Sequence, residues 1–297
     1  MSLTLTNDLL TVTVETAGEK YCGSRFDWNG TVTGINYKNI SILSAEKLPA
    51  LEDIKFHGRG LHNEFGIKNC IGYDEIKVGE WFPKIGTGWL KKDDEPYFFY
   101  KNYEIDPLDF SYTQESDTKV VFTCVSGERN GYSYKYTKTI TLEDSKINIS
   151  YKLENLGTKK IETTEYIHNF LLPGAKPVDT HLKLTFPWNY KIEDLVENVK
   201  TDNLVKFEDK GITFIKNPDV EYFLGGIYQE KNAMSSTASW SLYDAENDIT
   251  VSETGSFPLY NCDVWGHGNV ISPELFYFFS VEPGKEISWS RTYEFKG

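Results

Sequence analysis

Apolar and polar residues alternate with period two over long stretches of this chain. Leu10-Thr11-Val12-Thr13-Val14-Glu15-Thr16, Tyr132-Ser133-Tyr134-Lys135-Tyr136-Thr137-Lys138 and Ile147-Asn148-Ile149-Ser150-Tyr151-Lys152-Leu153 all show it. Successive side chains of a strand point to opposite faces, so this pattern predicts half-buried strands. Turn-forming Glu128-Arg129-Asn130-Gly131 and Glu143-Asp144-Ser145 punctuate the runs. Further strands are predicted at Tyr21–Trp28, Lys119–Ser126, Ile161–Phe170, Leu182–Phe186, Tyr222–Tyr228, Ser239–Tyr243, Ile249–Glu253, Leu259–Asp263, Leu275–Val281 and Ile287–Phe295. Helical spacing is sparse. Ile192, Leu195, Val196 and Val199 follow i, i+3, i+4, i+7 and predict one short helix. Consecutive strands without long intervening helices exclude parallel crossover units. The pattern predicts an all-β chain, a large antiparallel β-sandwich formed as a single domain over residues 1–297.

Residues 45–110 break the alternation. They hold His57, Arg59, His62, Asn63, Glu64 and Lys84 among glycines and two tryptophans. Long irregular segments in a compact chain often carry function, and they also occur as decorated edge hairpins.

Composition sharpens the picture at three points. Aromatic residues make up 15% of the chain, a share that suits strands and a thick core, and aromatic rings also stack on the apolar faces of sugars. The net charge of −13 provides no basic footprint, which argues against nucleic acid and anionic membrane as partners. Cys22, Cys70, Cys124 and Cys262 are widely spaced, with no C-x-x-C and no ligand-like His/Cys cluster. With no signal-peptide pattern at the N-terminus and no apolar run of membrane-spanning length, the reading is a cytoplasmic protein with reduced thiols.

Two stretches carry candidate chemistry. Thr163-Thr164-Glu165-Tyr166-Ile167-His168-Asn169-Phe170 and Val270-Ile271-Ser272-Pro273-Glu274-Leu275-Phe276 each read as a strand with titratable groups among apolar neighbours. A histidine and a carboxylate brought together on a β scaffold make a general acid–base pair. Other chemistries lack their motifs: there is no Walker A loop, no G-x-G-x-x-G after a strand and no G-x-S-x-G elbow. His57 and His62, at i and i+5, miss zinc-protease spacing.

The order of features resembles the aldose 1-epimerase (galactose mutarotase)-like superfamily over nearly the whole chain. Gly23-Ser24-Arg25-Phe26-Asp27-Trp28-Asn29-Gly30 is similar to the family's turn out of its first hairpin. Asn155-Leu156-Gly157 followed by Glu162 to Phe170 resembles the strand that ends in a catalytic histidine. Ile271-Ser272-Pro273-Glu274 resembles the strand of the catalytic glutamate, and Pro283-Gly284-Lys285-Glu286 with Trp289 to Phe295 resembles the closing strand. The segment His57 to Gly66 matches the family's Arg-containing stretch only loosely, and His168-Asn169-Phe170 departs from its usual histidine motif, which marks a divergent branch.

The resemblance implies a galactose mutarotase-like supersandwich and an isomerase with His168 as acid, Glu274 as base, no metal and no cofactor. Its partner is a small sugar, and the oligomeric state is monomer or homodimer. Beside this stand the residues' other uses. A strand-end histidine often serves the core by bonding a backbone carbonyl, and a carboxyl flanked by Pro273 and Leu275 also suits a buried ion pair. Arg59, His62, Lys84, Asp263 and Trp265 are the candidate sugar-binding residues. Lys84 reads first as a snorkelling surface lysine, Arg59 equally as a solvated loop charge, and Arg25 as a structural residue linked to Asp27 or a neighbouring carboxylate. A non-catalytic carbohydrate-binding protein, a sugar-phosphate epimerase and a glycoside hydrolase or lyase are the alternatives on such a scaffold. The hydrolase needs a second carboxylate opposite Glu274.

Overall fold

A computed structural model describes residues 2–47, 55–68, 70–230 and 237–297. Among these, the strands form two ten-stranded antiparallel sheets and one three-stranded sheet. The alternation explains the layering. Strand Tyr134–Glu143 buries every second residue, among them Tyr134, Tyr136, Ile140 and Leu142, while Lys135, Thr137 and Thr139 stay half-exposed. Strand Lys146–Asn155 does the same in register with it, pairing Ile140 with Ile149 and Tyr136 with Leu153. The inward faces of both large sheets meet in one core cluster that runs from Leu5 to Phe295. The all-β antiparallel sandwich expected from the pattern is therefore the observed architecture.

The first sheet orders its strands as Leu3–Thr6, Leu10–Glu15, Thr31–Tyr37, Leu61–Phe65, Ile161–Asn169, Val270–Val281, Asn261–His267, Tyr222–Gln229 and Glu197–Val199, with Ile40–Ser41 pairing off the path. Its central strands are the two that carry His168 and Glu274, so the candidate chemistry sits in mid-sheet. The small sheet, Trp81–Lys84, Gly88–Lys91 and Ile105–Pro107, has its own cluster of Tyr73, Phe82, Leu90 and Tyr103.

The two central strands pair regularly only from Ile161–Val281 to Glu165–Tyr277. Continuing that register would set Asn169 opposite Pro273, where the proline has no N–H to give. Side chains replace the ladder there. The backbone N–H of Asn169 donates to Ser272 Oγ (2.9 Å), and Asn169 Nδ2 donates to the Pro273 carbonyl (2.6 Å). The Leu275 carbonyl accepts from Arg291 Nη2 (2.9 Å).

A buried polar network ties this seam to the second sheet. Arg291, fully buried, bonds Glu165 Oε2 at 2.7 Å and also pairs with Glu253. Trp240 Nε1 donates to Glu253 Oε2 (2.7 Å), Tyr293 Oη to Asn169 Oδ1 (2.8 Å), and Asn63 Nδ2 to Glu165 Oε1 (2.5 Å). A buried ion pair gains little net stability unless its remaining donors and acceptors are met, and here most of them are.

Two local expectations are corrected. Residues 192–199 are not a helix: Ile192–Asp194 is a single 3-10 turn and Glu197–Val199 an edge strand. Ile192 and Val196 are 47% and 66% exposed and of the four only Leu195 is packed against the core, so no continuous apolar face forms. Tyr21–Trp28 is a bent segment rather than a strand. Its bonds go elsewhere: Trp28 Nε1 donates to the Gly23 carbonyl and Phe26 N–H to Tyr21 Oη. Within the irregular 45–110 region, residues 48–54 and 69 lie outside the described residues. The rest supplies Leu61–Phe65 to the large sheet and all three strands of the small one.

Candidate active site

Register brings the predicted residues together. His62 is paired with His168 and Asp263 with Glu274, while the seam separates His168 from Glu274. Residues at even positions of Ile161–Asn169, Thr164, Tyr166 and His168, share the sheet's outer face, and Glu165, Ile167 and Asn169 point to the core network. His62, His168, Glu274 and Asp263 thus form one row across four adjacent strands. Each is at most 6% exposed.

The centre of the row is closely coupled. His168 Nε2 stands 3.5 Å from Glu274 Oε1. Ser272 Oγ lies 3.0 Å from both His168 Nδ1 and Glu274 Oε1, bridging the two. The imidazole stacks on Phe170 (centroids 4.1 Å, 5° between planes) and meets the edge of Trp265 at 5.0 Å. Gly58 permits this stack, since a Cβ there would fall 2.3 Å from the Phe170 ring. His62 packs against Phe26 (4.7 Å) and Tyr21 (5.0 Å), and neither of its ring nitrogens has a hydrogen-bond partner among the described residues.

Burial sets the protonation states. It pushes the Glu274 carboxyl well above the usual carboxylate range. Nearby Asp263 adds to that, and Arg25 and the Ser272 hydroxyl oppose it. Burial holds His168 well below the ordinary histidine value, with Arg25 and His62 reinforcing it, so the ring is neutral at physiological pH. His62 is depressed for the same first reason, with Lys138, Arg59 and Arg25 contributing. Asp263 is raised by burial against the Gly226 N–H and the Asn261 amide, which bond it at 2.7 and 2.8 Å.

A second row lies beside the first. Glu64 pairs with Tyr166, and Phe276 with Asn261. Tyr166 Oη donates to Glu64 Oε2 at 2.5 Å, and its ring stacks on Phe276 at 4.4 Å. Arg25 reaches in from its bent segment. Its Nε bonds Glu64 at 2.8 Å, its Nη2 bonds Tyr166 Oη at 3.1 Å, and its guanidinium lies 4.5 Å from the rings of both Phe26 and Phe99. The expected link to Asp27 does not form. Asp27 is buried against Lys138 (2.8 Å) and Tyr136 Oη.

A cleft of about 450 Å³ opens from Asp263, Asn261 and Phe276. Phe223, Tyr260 and Phe278 give it aromatic walls, and Lys68, Glu162, Glu197 and Glu230 charge it. That volume lies within the range of small-ligand sites.

Five of the seven predicted residues, His62, His168, Asp263, Trp265 and Glu274, gather along the row, and of these Asp263 alone lines the cleft. Arg59 does not join them: its Nη2 is held by Glu15 Oε1 at 2.5 Å. Lys84 is neither a sugar contact nor a snorkelling lysine. It is 1% exposed, donates to the Phe65 carbonyl (2.7 Å) and Tyr97 Oη (3.1 Å), and stands 3.8 Å from Glu64. Arg25, Tyr166, Glu64 and Ser272 are the site residues missing from the prediction. Their only sequence signal is position, since Tyr166 is two residues from His168 and Ser272 two from Glu274.

Solved structures share this architecture along the full chain. A protein from Synechocystis sp. PCC 6803 superposes with TM-score 0.62 at 12% identity, covering 100% of this chain and 96% of its own. A galactose mutarotase-like protein from Lactobacillus casei ATCC 334 gives 0.58 at 14%, covering 100% of both chains. An aldose epimerase homologue from C. elegans gives 0.58 at 13%, covering 100% and 98%. No family model matches the chain, and a search of curated proteins finds no sequence relative. The fold is the galactose mutarotase-like one.

Proposed function

On this galactose mutarotase-like fold, we propose that the chain is an aldose 1-epimerase-like isomerase, interconverting the anomers of a free hexose or closely related sugar. The observation that carries the reading is the row His62–His168–Glu274–Asp263 on the outer face of mid-sheet, beside an aromatic-walled cleft. Anomer exchange needs a base for the anomeric hydroxyl and an acid for the ring oxygen. The open chain then turns about C1–C2 and closes on its other face. Glu274 is the base and His168 the acid, two titratable groups drawn from their ordinary values in opposite directions by their surroundings. Asp263 and Trp265 flank them as hydroxyl acceptor and ring wall.

The cleft's charges favour an unphosphorylated sugar. Among its described lining residues Lys68 is the one cation, against Glu162, Glu197, Glu230 and Asp263. Arg25 and Lys84 both serve Glu64, leaving no cation cluster for a phosphate. The test is anomer exchange followed by magnetisation-transfer NMR over a panel of free and 6-phosphorylated aldoses. Acceleration by the wild type that is lost in Glu274→Gln and His168→Asn is the expected result, and equal rates in all three proteins refute it.

One observation favours a second reading, a non-catalytic sugar-binding protein. His168 and Glu274 touch each other and are only 4% exposed, so no sugar atom fits between them without movement. Saturable calorimetric binding of a sugar with no effect on its anomer exchange would select this alternative.

A further inference from the structure

An acid that is already neutral has a chemical problem. When neutral imidazole gives up its one N–H it becomes an anion, unless its other nitrogen gains a proton in the same event. In this site that nitrogen is committed. His168 Nδ1 sits 3.0 Å from Ser272 Oγ, and the same oxygen is 3.0 Å from Glu274 Oε1. A serine hydroxyl has one proton and two lone pairs. One lone pair is occupied by the Asn169 backbone N–H at 2.9 Å, the Pro273 carbonyl opposite being taken instead by the Asn169 side-chain amide. One proton and one lone pair remain, to be divided between His168 and Glu274. Two arrangements fit the same heavy atoms. In the first, Ser272 donates to Nδ1 and the histidine carries its proton on Nε2. In the second, Nδ1–H donates to Ser272 and Ser272 donates to Glu274.

We propose that Ser272 is a proton relay between Glu274 and His168, and that ring opening and ring closing exchange the two tautomers of His168. This rests on the epimerase reading above and balances as follows. Starting from the first arrangement with Glu274 ionised, Oε1 takes the anomeric hydroxyl proton while the Nε2–H bond breaks and that proton goes to the ring oxygen as the C1–O bond cleaves. In the same event the proton on Oε1 passes to Ser272 Oγ and the Ser272 proton passes to Nδ1, so that Nδ1 is protonated as Nε2 is deprotonated. One proton has moved from the anomeric oxygen to the ring oxygen, Glu274 is ionised again, and His168 has changed from the Nε2–H to the Nδ1–H tautomer. Ring closure runs the same transfers backwards and restores the start. Neither a cationic nor an anionic imidazole forms at any point.

The charged and titratable groups around the pair come from each neighbouring element: Arg25 from the bent segment, His62 and Glu64 from Leu61–Phe65, Tyr166 from the histidine's own strand, and Asp263 from Asn261–His267. None of these bonds His168 Nδ1, so Ser272 is its sole proton route among the described residues.

The experiment compares wild type, Ser272→Ala and Ser272→Thr in three readouts. Ser272→Ala is expected to lower kcat about a hundredfold or more, the usual size of a lost proton-transfer component, with KM little changed, and Ser272→Thr to recover most of it. A proton inventory in mixed H₂O/D₂O is expected to show several protons in flight in the wild type and fewer in Ser272→Ala. The third readout needs no turnover: ¹⁵N shifts of His168 are expected to show a neutral ring between about pH 5 and 8, with a tautomer ratio that changes in Ser272→Ala and returns in Ser272→Thr. Wild-type kcat in Ser272→Ala, or a tautomer ratio indifferent to residue 272, overturns the relay. Absence of anomer exchange in the wild type with a residue-272-dependent tautomer ratio removes the epimerase reading instead, and leaves the hydrogen-bond coupling as the surviving claim.

Discussion

Asn169 and Pro273 meet across the break between the two central strands, and the asparagine amide takes the proline carbonyl at 2.6 Å. One residue supplies backbone and side chain to the same gap, holding Ser272 with its N–H and Pro273 with its Nδ2. Its Oδ1 meanwhile accepts from Tyr293. Asn169→Ala keeps the backbone bond to Ser272 but strands the buried Pro273 carbonyl and Tyr293 hydroxyl, each worth roughly 1–3 kcal/mol when left unmet. The expected loss is about 3 kcal/mol in urea unfolding, against about 1 kcal/mol for Tyr293→Phe. Equal stability of the two variants would show that the gap is closed by something else.

Removing Arg291 leaves Glu165 and Glu253 buried without their cation. Arg291→Met is expected to cost about 3–5 kcal/mol, as for other broken buried pairs. Because Arg291 also holds the Leu275 carbonyl, the damage reaches the Glu274 strand. Thermal unfolding of Arg291→Met alone and of the triple variant Arg291→Met/Glu165→Gln/Glu253→Gln checks the cause: the triple variant should recover part of the loss.

Glu274 makes stability depend on pH. Its native carboxyl binds protons more tightly than in the unfolded chain, whose glutamates titrate near pH 4.3. The native state therefore retains a proton that the unfolded state releases, and stability falls as pH rises from there through the raised native value. Glu274→Gln removes this contribution. It should be more stable than wild type at neutral pH, with a difference that shrinks towards pH 4. Asp27, Asp263 and Glu165, also raised by burial, continue to lower stability with pH in both proteins. Unfolding free energies measured from pH 4 to 8 decide it, and a difference that grows on acidification would reverse the assignment.

Activity should show one rising limb. It requires Glu274 ionised, and the depressed His168 adds no falling limb through neutral pH. Arg25 is among the groups that favour the ionised form of Glu274, so Arg25→Met should move the limb to higher pH. Arg59 is bound to Glu15 and is not among the main influences on Glu274, so Arg59→Met should move the limb far less than Arg25→Met. pH profiles of kcat/KM for the two variants separate a site arginine from a structural one.

The sequence was most legible where the physics is local. Period-two runs such as Tyr134–Glu143 became strands with the faces they announce. Residues 192–199 misled because an apolar spacing identifies a helix only if a core receives it, and Val196 faces solvent. His62, His168, Glu274 and Asp263 were each candidates in the sequence, none of them from periodicity, and the row they form was not legible there because it depends on strand order. Arg25 was expected to hold Asp27 or a neighbouring carboxylate, and the carboxylate proved to be Glu64; that partner and Tyr166 lie 39 and 141 residues away and meet it only through strand order. Lys84 looked like a surface residue for the same reason: the carboxylate that justifies burying it belongs to another sheet.

The strand Ile161–Asn169 also has a double obligation. Glu165 and Asn169 on one side must find Arg291 and Tyr293, while Tyr166 and His168 on the other must find Glu64 and Ser272. Slipping the chain by one residue exchanges the two sides. An inserted or deleted residue here has no permissive outcome, because it delivers the carboxylate of Glu165 to the cleft and the imidazole of His168 to the arginine. Along this lineage the segment can drift in residue type far more easily than in length, and single-residue indels should be tolerated at the Glu143–Ser145 turn long before they are tolerated here.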